Sequence, residues 1–248
     1  MYGPVRSRRL GLSLGLNLLP ADRKFCNYDC PYCECGLTPP GGGRGRLPTV
    51  EELSTELQGR IAQLKAAGTP PQALTMAGNG EPTLHPQFPQ MVDAVCALRH
   101  QLLPGAKVVV LSNATRVDKP EVFQALLRVD ERQLKLDGAT ERSFRLLNAP
   151  LGKFSLGDLV RCLRRFAGDL VIQTLLTRGT VRGEPVDNTT ADEVAAYVAL
   201  LQEIKPRWVA LYSLDRESPE PGLQKLPESE LERVAAQVRR VGIPAETY

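Results

Sequence analysis

Ala73-Leu74-Thr75-Met76-Ala77-Gly78-Asn79-Gly80-Glu81-Pro82-Thr83 carries an apolar run directly into a polar, glycine-containing turn, and an amphipathic stretch over Phe88–Gln101 follows it. A short apolar run bounded by turn residues reads as a buried strand, and the 3.6-residue period after it reads as a helix. The same unit recurs on both sides. Strands are expected at Leu10–Leu18, Ala73–Ala77, Lys107–Ser112, Gln133–Asp137, Leu170–Thr177 and Arg207–Leu214. Helices are expected at Val50–Ala67, Phe88–Gln101, Pro120–Val129, Leu156–Phe166, Ala191–Ile204 and Ser229–Val241. Thr49 with Glu52 forms a capping-box pattern at the first helix, and Pro120 suits a first helical turn. An alternation of this kind implies an α/β fold of parallel strands with right-handed crossovers, either an open sheet or a barrel.

Polar clusters fall at one end of these strands. Gly78–Glu81 follows the second, Ser112–Thr115 the third, Asp137-Gly138 the fourth, Thr177–Gly179 the fifth and Leu214–Arg216 the sixth, while a cysteine-rich loop follows the first. Active sites of parallel α/β folds form where such loops converge, and six of them predict a barrel-like cup. Beyond the glycine-rich turn Pro39–Arg46 no low-complexity stretch divides the 248 residues, so one domain is expected. The apolar runs are too short to span a bilayer, and the Arg cluster near Met1 is unlike a signal segment, which together predict a cytoplasmic protein. A net charge of +3 is compatible with a phosphorylated or nucleic-acid substrate without arguing for one. Of six cysteines, four crowd into residues 26–35, which in a reducing compartment points to metal or redox chemistry.

The segment Cys26-Asn27-Tyr28-Asp29-Cys30-Pro31-Tyr32-Cys33 places three thiolates in one short turn, enough for three corners of an iron–sulfur cubane with the fourth iron left open. The competing reading is a structural zinc site completed by Cys35, since zinc prefers four closed ligands. Zinc sites usually pair two separated Cys-x2-Cys knuckles, and no second half exists here. Cys96 and Cys162, within amphipathic helices, read as small buried hydrophobes.

Cys-x3-Cys-x2-Cys, with Tyr32 just before the last cysteine and a strand before the loop, resembles the signature of the radical S-adenosylmethionine superfamily. Gly78-Asn79-Gly80-Glu81-Pro82-Thr83 is similar to that superfamily's Gly-Gly-Glu motif, with Asn79 at the second position. Gly3-Pro4-Val5, Ser7–Gly11, Ser13-Leu14-Gly15, Leu84-His85-Pro86, Asn188-Thr189 and Asp215-Arg216 extend the likeness over nearly the whole chain. They resemble a branch of iron–sulfur oxidoreductases related to the tRNA wyosine-synthesis enzymes. The chain departs from the wyosine synthases proper in lacking a second cysteine cluster.

The resemblance implies a partial (β/α)6 barrel of the radical S-adenosylmethionine type over residues 1–248, with the cluster loop at 26–35 and the strand and helix of about 207–248 completing the barrel. It implies a [4Fe–4S] cluster on Cys26, Cys30 and Cys33, and S-adenosylmethionine chelated at the open iron. Reductive cleavage of the sulfonium bond, driven by an external one-electron donor such as flavodoxin or ferredoxin, would then start radical chemistry on the substrate. The cofactor contacts implied are Tyr32, Gly78, Asn79, Gly80, Glu81, Ser112, Asn113, Lys135, Asp137 and Gln173. Glycines let the backbone come close to a ligand, and Glu81 can accept from the methionine ammonium. Lys135 and Asp137 are two apart on one strand face, which equally suits an internal ion pair. Arg178, Arg182 and Arg216 could clamp an anionic substrate at the mouth of the cup, or form a solvated rim. The substrate expected is a small molecule or a nucleoside or tRNA. The alternatives are an activase that makes a glycyl radical in a partner protein, and a zinc-stabilised binding module.

Overall fold

The computed structural model describes residues 1–39, 45–216 and 218–248, so residues 40–44 of the expected glycine-rich turn lie outside the described residues. The contacts divide the chain into two compact units. The first comprises Met1–Cys26, Pro39–Ser112 and Arg116–Arg132, and the second Asn27–Thr38, Asn113–Thr115 and Gln133–Tyr248.

The first unit opens with an antiparallel pair, β1 (Tyr2–Ser7) and β2 (Gly11–Leu16), then continues through α1 (Val50–Ala66), β3 (Ala73–Met76), a 3₁₀ turn at Pro82–Leu84, α2 (Phe88–Leu102), β4 (Lys107–Ser112) and α3 (Pro120–Arg128). β2, β3 and β4 are parallel neighbours. Their residues Leu14, Leu16, Leu74, Met76 and Val108–Val110 are buried, as a sheet covered on both faces requires. Helix α1 turns Leu53, Leu57, Ile61 and Leu64 inward, and its start carries the Thr49–Glu52 capping box expected from the sequence. Ser7 ends β1, and Arg8 and Arg9 lie in the turn that leads into β2. β1 contains Gly3 and Pro4 and so reads poorly as a strand, but an edge position tolerates Pro. Gly15 leaves the space that the Tyr2 ring fills, since a Cβ there would come within 2.1 Å of that ring.

Strand β5 (Glu131–Lys135) leads into the second unit, followed by α4 (Glu141–Asn148), α5 (Leu156–Arg164), β6 (Val171–Leu175), β7 (Arg178–Val181), β8 (Glu184–Asp187), α6 (Ala191–Ile204), β9 (Trp208–Tyr212), β10 (Leu223–Gln224), α7 (Glu228–Arg240) and β11 (Ala245–Thr247). β5, β6, β9 and β11 run parallel in that order, and β10, β7 and β8 form a small antiparallel sheet. Three features go beyond the expected alternation: helix α4, the small sheet, and β11 as a further parallel strand. Thr177-Arg178-Gly179 does not stay a loop, because Arg178 and Gly179 pair with Asp187 and Val186.

Candidate active site

In the second unit the cysteine loop is held from two sides. Asn27 donates from Nδ2 to the Thr115 hydroxyl at 2.7 Å, and Asn113 donates to Asn27 Oδ1 at 2.8 Å. On the other side the residues just after α4 pair with the loop backbone: the Asp29 N–H donates to the Ala149 carbonyl (3.0 Å), and the Leu151 N–H to that of Asn27 (3.0 Å). Ala149 adopts the left-handed conformation that ends the helix and aims Pro150 and Leu151 at the loop. Tyr28 packs edge-on against Phe144 of the same helix. Past Cys30 the chain tightens into turns, with Cys33 N–H on the Cys30 carbonyl (3.1 Å) and Gly36 N–H on that of Cys33 (2.9 Å). The Pro31 carbonyl accepts from the Ser218 hydroxyl at 2.6 Å and the Glu220 N–H at 3.2 Å. Cys30 is buried, Cys26 and Cys33 are half-buried, and Cys35 is exposed.

Behind Cys30 lies a buried polar cluster centred on Asp137. Its Oδ1 accepts the Leu175 N–H (2.9 Å), while its Oδ2 accepts from the Tyr32 hydroxyl and from Asn148 Nδ2 (2.7 Å) and lies 3.5 Å from Lys135 Nζ. Lys135 also donates to the Tyr212 hydroxyl (3.3 Å) and stands over the Tyr32 ring at 5.0 Å from its centroid. Burial alone would lower the Lys135 pKa, but the charge of Asp137, with Tyr212 and Cys30 nearby, lifts it above the ordinary lysine value. Burial pushes the Cys30 thiol up to about 11 against the pull of Lys135, and burial with the adjacent Asp137 raises Tyr32 well above its usual range. Of the residues expected to touch the cofactor, Tyr32, Lys135 and Asp137 are thus brought together beside Cys30. Gln173 lies opposite Lys135 in the pairing of β5 with β6, buried, its amide donating to Gln133. Arg178 and Arg216 are engaged in ion pairs, with Glu230 and Glu34 respectively.

In the first unit the Gly78–Glu81 turn grips the chain that enters the cysteine loop. Phe25 N–H donates to the Asn79 carbonyl (2.8 Å), and Glu81 N–H donates to the Phe25 carbonyl (3.0 Å). A Cβ on Gly80 would stand 1.9 Å from that same Phe25 oxygen. Asn79 donates to the Pro20 and Ala21 carbonyls, each at 3.1 Å. Glu81, 2% exposed, accepts on Oε1 from the Thr83 N–H (3.1 Å), the Thr83 hydroxyl (2.5 Å) and the Ser112 hydroxyl (2.7 Å). The glycines therefore allow backbone to approach backbone, and a bound ammonium would have to share acceptors already in use. Sequence reasoning missed Asn148, Tyr212, Asn27 and Asn188, whose amide donates to the Asp137 carbonyl (2.8 Å). A signal for α4 exists in the Thr140-x-x-Ser143 cap pattern.

Residues 23–169 match the Radical SAM superfamily, and the chain belongs to it. A UPF0026 protein of Helicobacter pylori (strain 26695) is 33% identical over 235 residues, covering 93% of this chain and 71% of the relative. Among solved structures, a radical SAM methyltransferase from Sphaerobacter thermophilus superposes with a TM-score of 0.69 at 18% identity, over 95% of this chain and 65% of its own. TYW1 with a lysine–pyruvate adduct bound gives 0.63 at 16% identity, over 88% of this chain and 70% of its own. The fold is accordingly the superfamily's partial (β/α) barrel, a fold that TYW1 shares. Membership brings a [4Fe–4S] cluster and S-adenosylmethionine as cofactors, enzymatic cleavage of the latter, and a need for an electron donor. Among the described residues no helix is long and apolar enough to cross a membrane.

The donor set fits such a cluster. Three thiols share one loop, and an amide N–H stands 3.9 Å from the buried Cys30 sulfur.

Proposed function

We propose that Cys26, Cys30 and Cys33 ligate three irons of one [4Fe–4S] cluster, that the fourth iron takes S-adenosylmethionine, and that the enzyme starts radical chemistry on a small molecule or a nucleoside or tRNA. When bound, the cluster and S-adenosylmethionine supply one-electron reductive cleavage of the sulfonium bond, fed by a donor such as flavodoxin or ferredoxin. The observation that carries this reading is the cysteine loop itself, pinned by Asn27, the Ala149–Leu151 backbone and the Tyr32–Asp137 bond in a conformation that buries Cys30. Lys135 supplies a cation whose side chain remains 21% exposed, suited to the methionine carboxylate. Tyr32 and Asp137 hold that cation. The Gly78–Glu81 turn, with Ser112, fixes Phe25 just ahead of Cys26 and offers carbonyl and carboxylate acceptors to the methionine ammonium. Asn113 and Gln173 complete the set of proposed contacts to the nucleoside part.

Anaerobic reconstitution with iron and sulfide, then dithionite and S-adenosylmethionine, tests it. The expected product is a brown protein with about four irons and four sulfides per chain, following from three thiolates and one open site. Cys26→Ala, Cys30→Ala and Cys33→Ala should each abolish cleavage, whereas Cys35→Ala should keep the cluster. A Cys35→Ala variant that loses all iron while one of the other three tolerates replacement would overturn the ligand assignment.

A further inference from the structure

Asn148, the last residue of α4, is completely buried, and its amide is used unevenly. Nδ2 lies 2.7 Å from Asp137 Oδ2, 3.4 Å from the Tyr32 hydroxyl and 3.9 Å from Cys30 Sγ. Its Oδ1 meets no hydrogen-bond partner among the described residues. A buried acceptor left unmatched costs stability that an apolar side chain of the same volume would not. An Asn kept under that penalty is there for its donors. Asp137 accepts from one of the two N–H groups at the shortest distance, and the planar amide then leaves the second for the remaining neighbours, Cys30 among them.

The Cys30 thiol in turn donates to the Asn148 backbone carbonyl at 3.6 Å. Metal ligation removes that thiol proton, and the sulfur then becomes an acceptor facing Nδ2. Hydrogen bonds to cluster sulfurs favour the reduced, more negative form, so a donor at this point raises the reduction potential.

Resting on the ligand assignment above, we propose that Asn148 is a positioning residue of the cluster: it holds Asp137 and Tyr32 behind the Cys30–Cys33 turn and directs an N–H at the Cys30 sulfur, which makes the cluster easier to reduce. No step of this kind needs Asn148 to touch substrate. Its effect acts wholly through Cys30.

The test is an EPR-monitored redox titration of the reconstituted protein without S-adenosylmethionine, with iron and sulfide counted in every sample. Asn148→Leu, close in volume and lacking donors, should keep a full cluster while the equilibrium constant for its reduction falls about tenfold, which for one electron is about 59 mV. Tyr32→Phe keeps the Asn148 amide and should shift the potential much less. Equal shifts in both variants would reduce Asn148 to general packing, and an unchanged potential in a fully loaded Asn148→Leu would overturn the proposal outright. The wild-type protein gives a reading that needs no folded variant: with asparagine side-chain amides labelled with ¹⁵N, pulsed EPR of the reduced cluster should show a ¹⁵N coupling, and its absence overturns the contact. A full cluster in Cys30→Ala would instead sink the ligand assignment, a result separable from the others.

Discussion

His85 shows how much a single side chain can be committed by its neighbours. Its Nε2 lies 3.0 Å from the Pro48 carbonyl, and its Nδ1 accepts the Gln87 N–H at 3.0 Å, so the ring proton belongs on Nε2. A second proton would have to displace the Gln87 bond. Burial lowers the His85 pKa below its ordinary 6.5, with the Pro48 bond pulling the other way. Because the folded value is the lower one, the unfolded chain binds more protons as pH falls. The stabilisation is therefore complete above about 6.5 and is lost as the pH drops through the folded value. Calorimetric melts should show a lower midpoint at about pH 5.5 than at about pH 7.5. His85→Asn should be less stable at neutral pH and flatter across this window. A wild-type midpoint that does not move would show that His85 titrates as it does in water. Nothing in the sequence around His85 announces Pro48, 37 residues away, as its partner.

At the level of elements, the Gly78–Glu81 turn shows a close approach that the sequence announces and a backbone partner that it does not. The glycines are legible as a close approach, but the partner is the Phe25 backbone, reached only through tertiary folding. Gly80 has φ of 138°, a region that L side chains rarely adopt, and a Cβ would collide with the Phe25 oxygen. Gly80→Ala should therefore destabilise the protein by about 3 kcal/mol or more, combining backbone strain with overpacking. It should also disorder the entry to Cys26, so that reconstituted iron per chain falls as stability does. Urea unfolding of the reconstituted and apo forms measures both, and a fully loaded, equally stable Gly80→Ala would mean that Phe25 yields freely. Strands β2 to β6 and β9 were legible because their apolar runs are short and bounded by polar turns. β1 was not, since Gly3, Pro4 and Arg6 mask its period, and α4 was hidden because its eight residues end at Asn148, two before Pro150, too short to stand out from the turn after it.

Over the whole molecule, the alternation of strand and helix was readable from periodicity, and the location proposed for the chemistry, at the strand ends, follows from it. The Lys135–Asp137 pair was readable as two residues on one face. That Asp137 takes four donors, one from the cysteine loop and one from the end of α4, was not, because those partners lie 105 and 11 residues away in opposite directions. A site assembled from distant segments makes its ligand part of the fold, and stability should report it. S-adenosylmethionine that binds the folded, cluster-loaded protein and not the unfolded chain adds about 2.7 kcal/mol at a hundred times its Kd. For 248 residues, where each kcal/mol moves the midpoint by about 2–4 °C, the anaerobic melt should rise by about 5–10 °C. The same addition to apo protein should raise it far less, since the open iron proposed to take the methionine part is then missing. Melts of both forms across a range of S-adenosylmethionine concentrations distinguish the outcomes. An equal rise in apo and loaded protein would place S-adenosylmethionine away from the cysteine loop, and no rise in either would remove it from this chain's folded state.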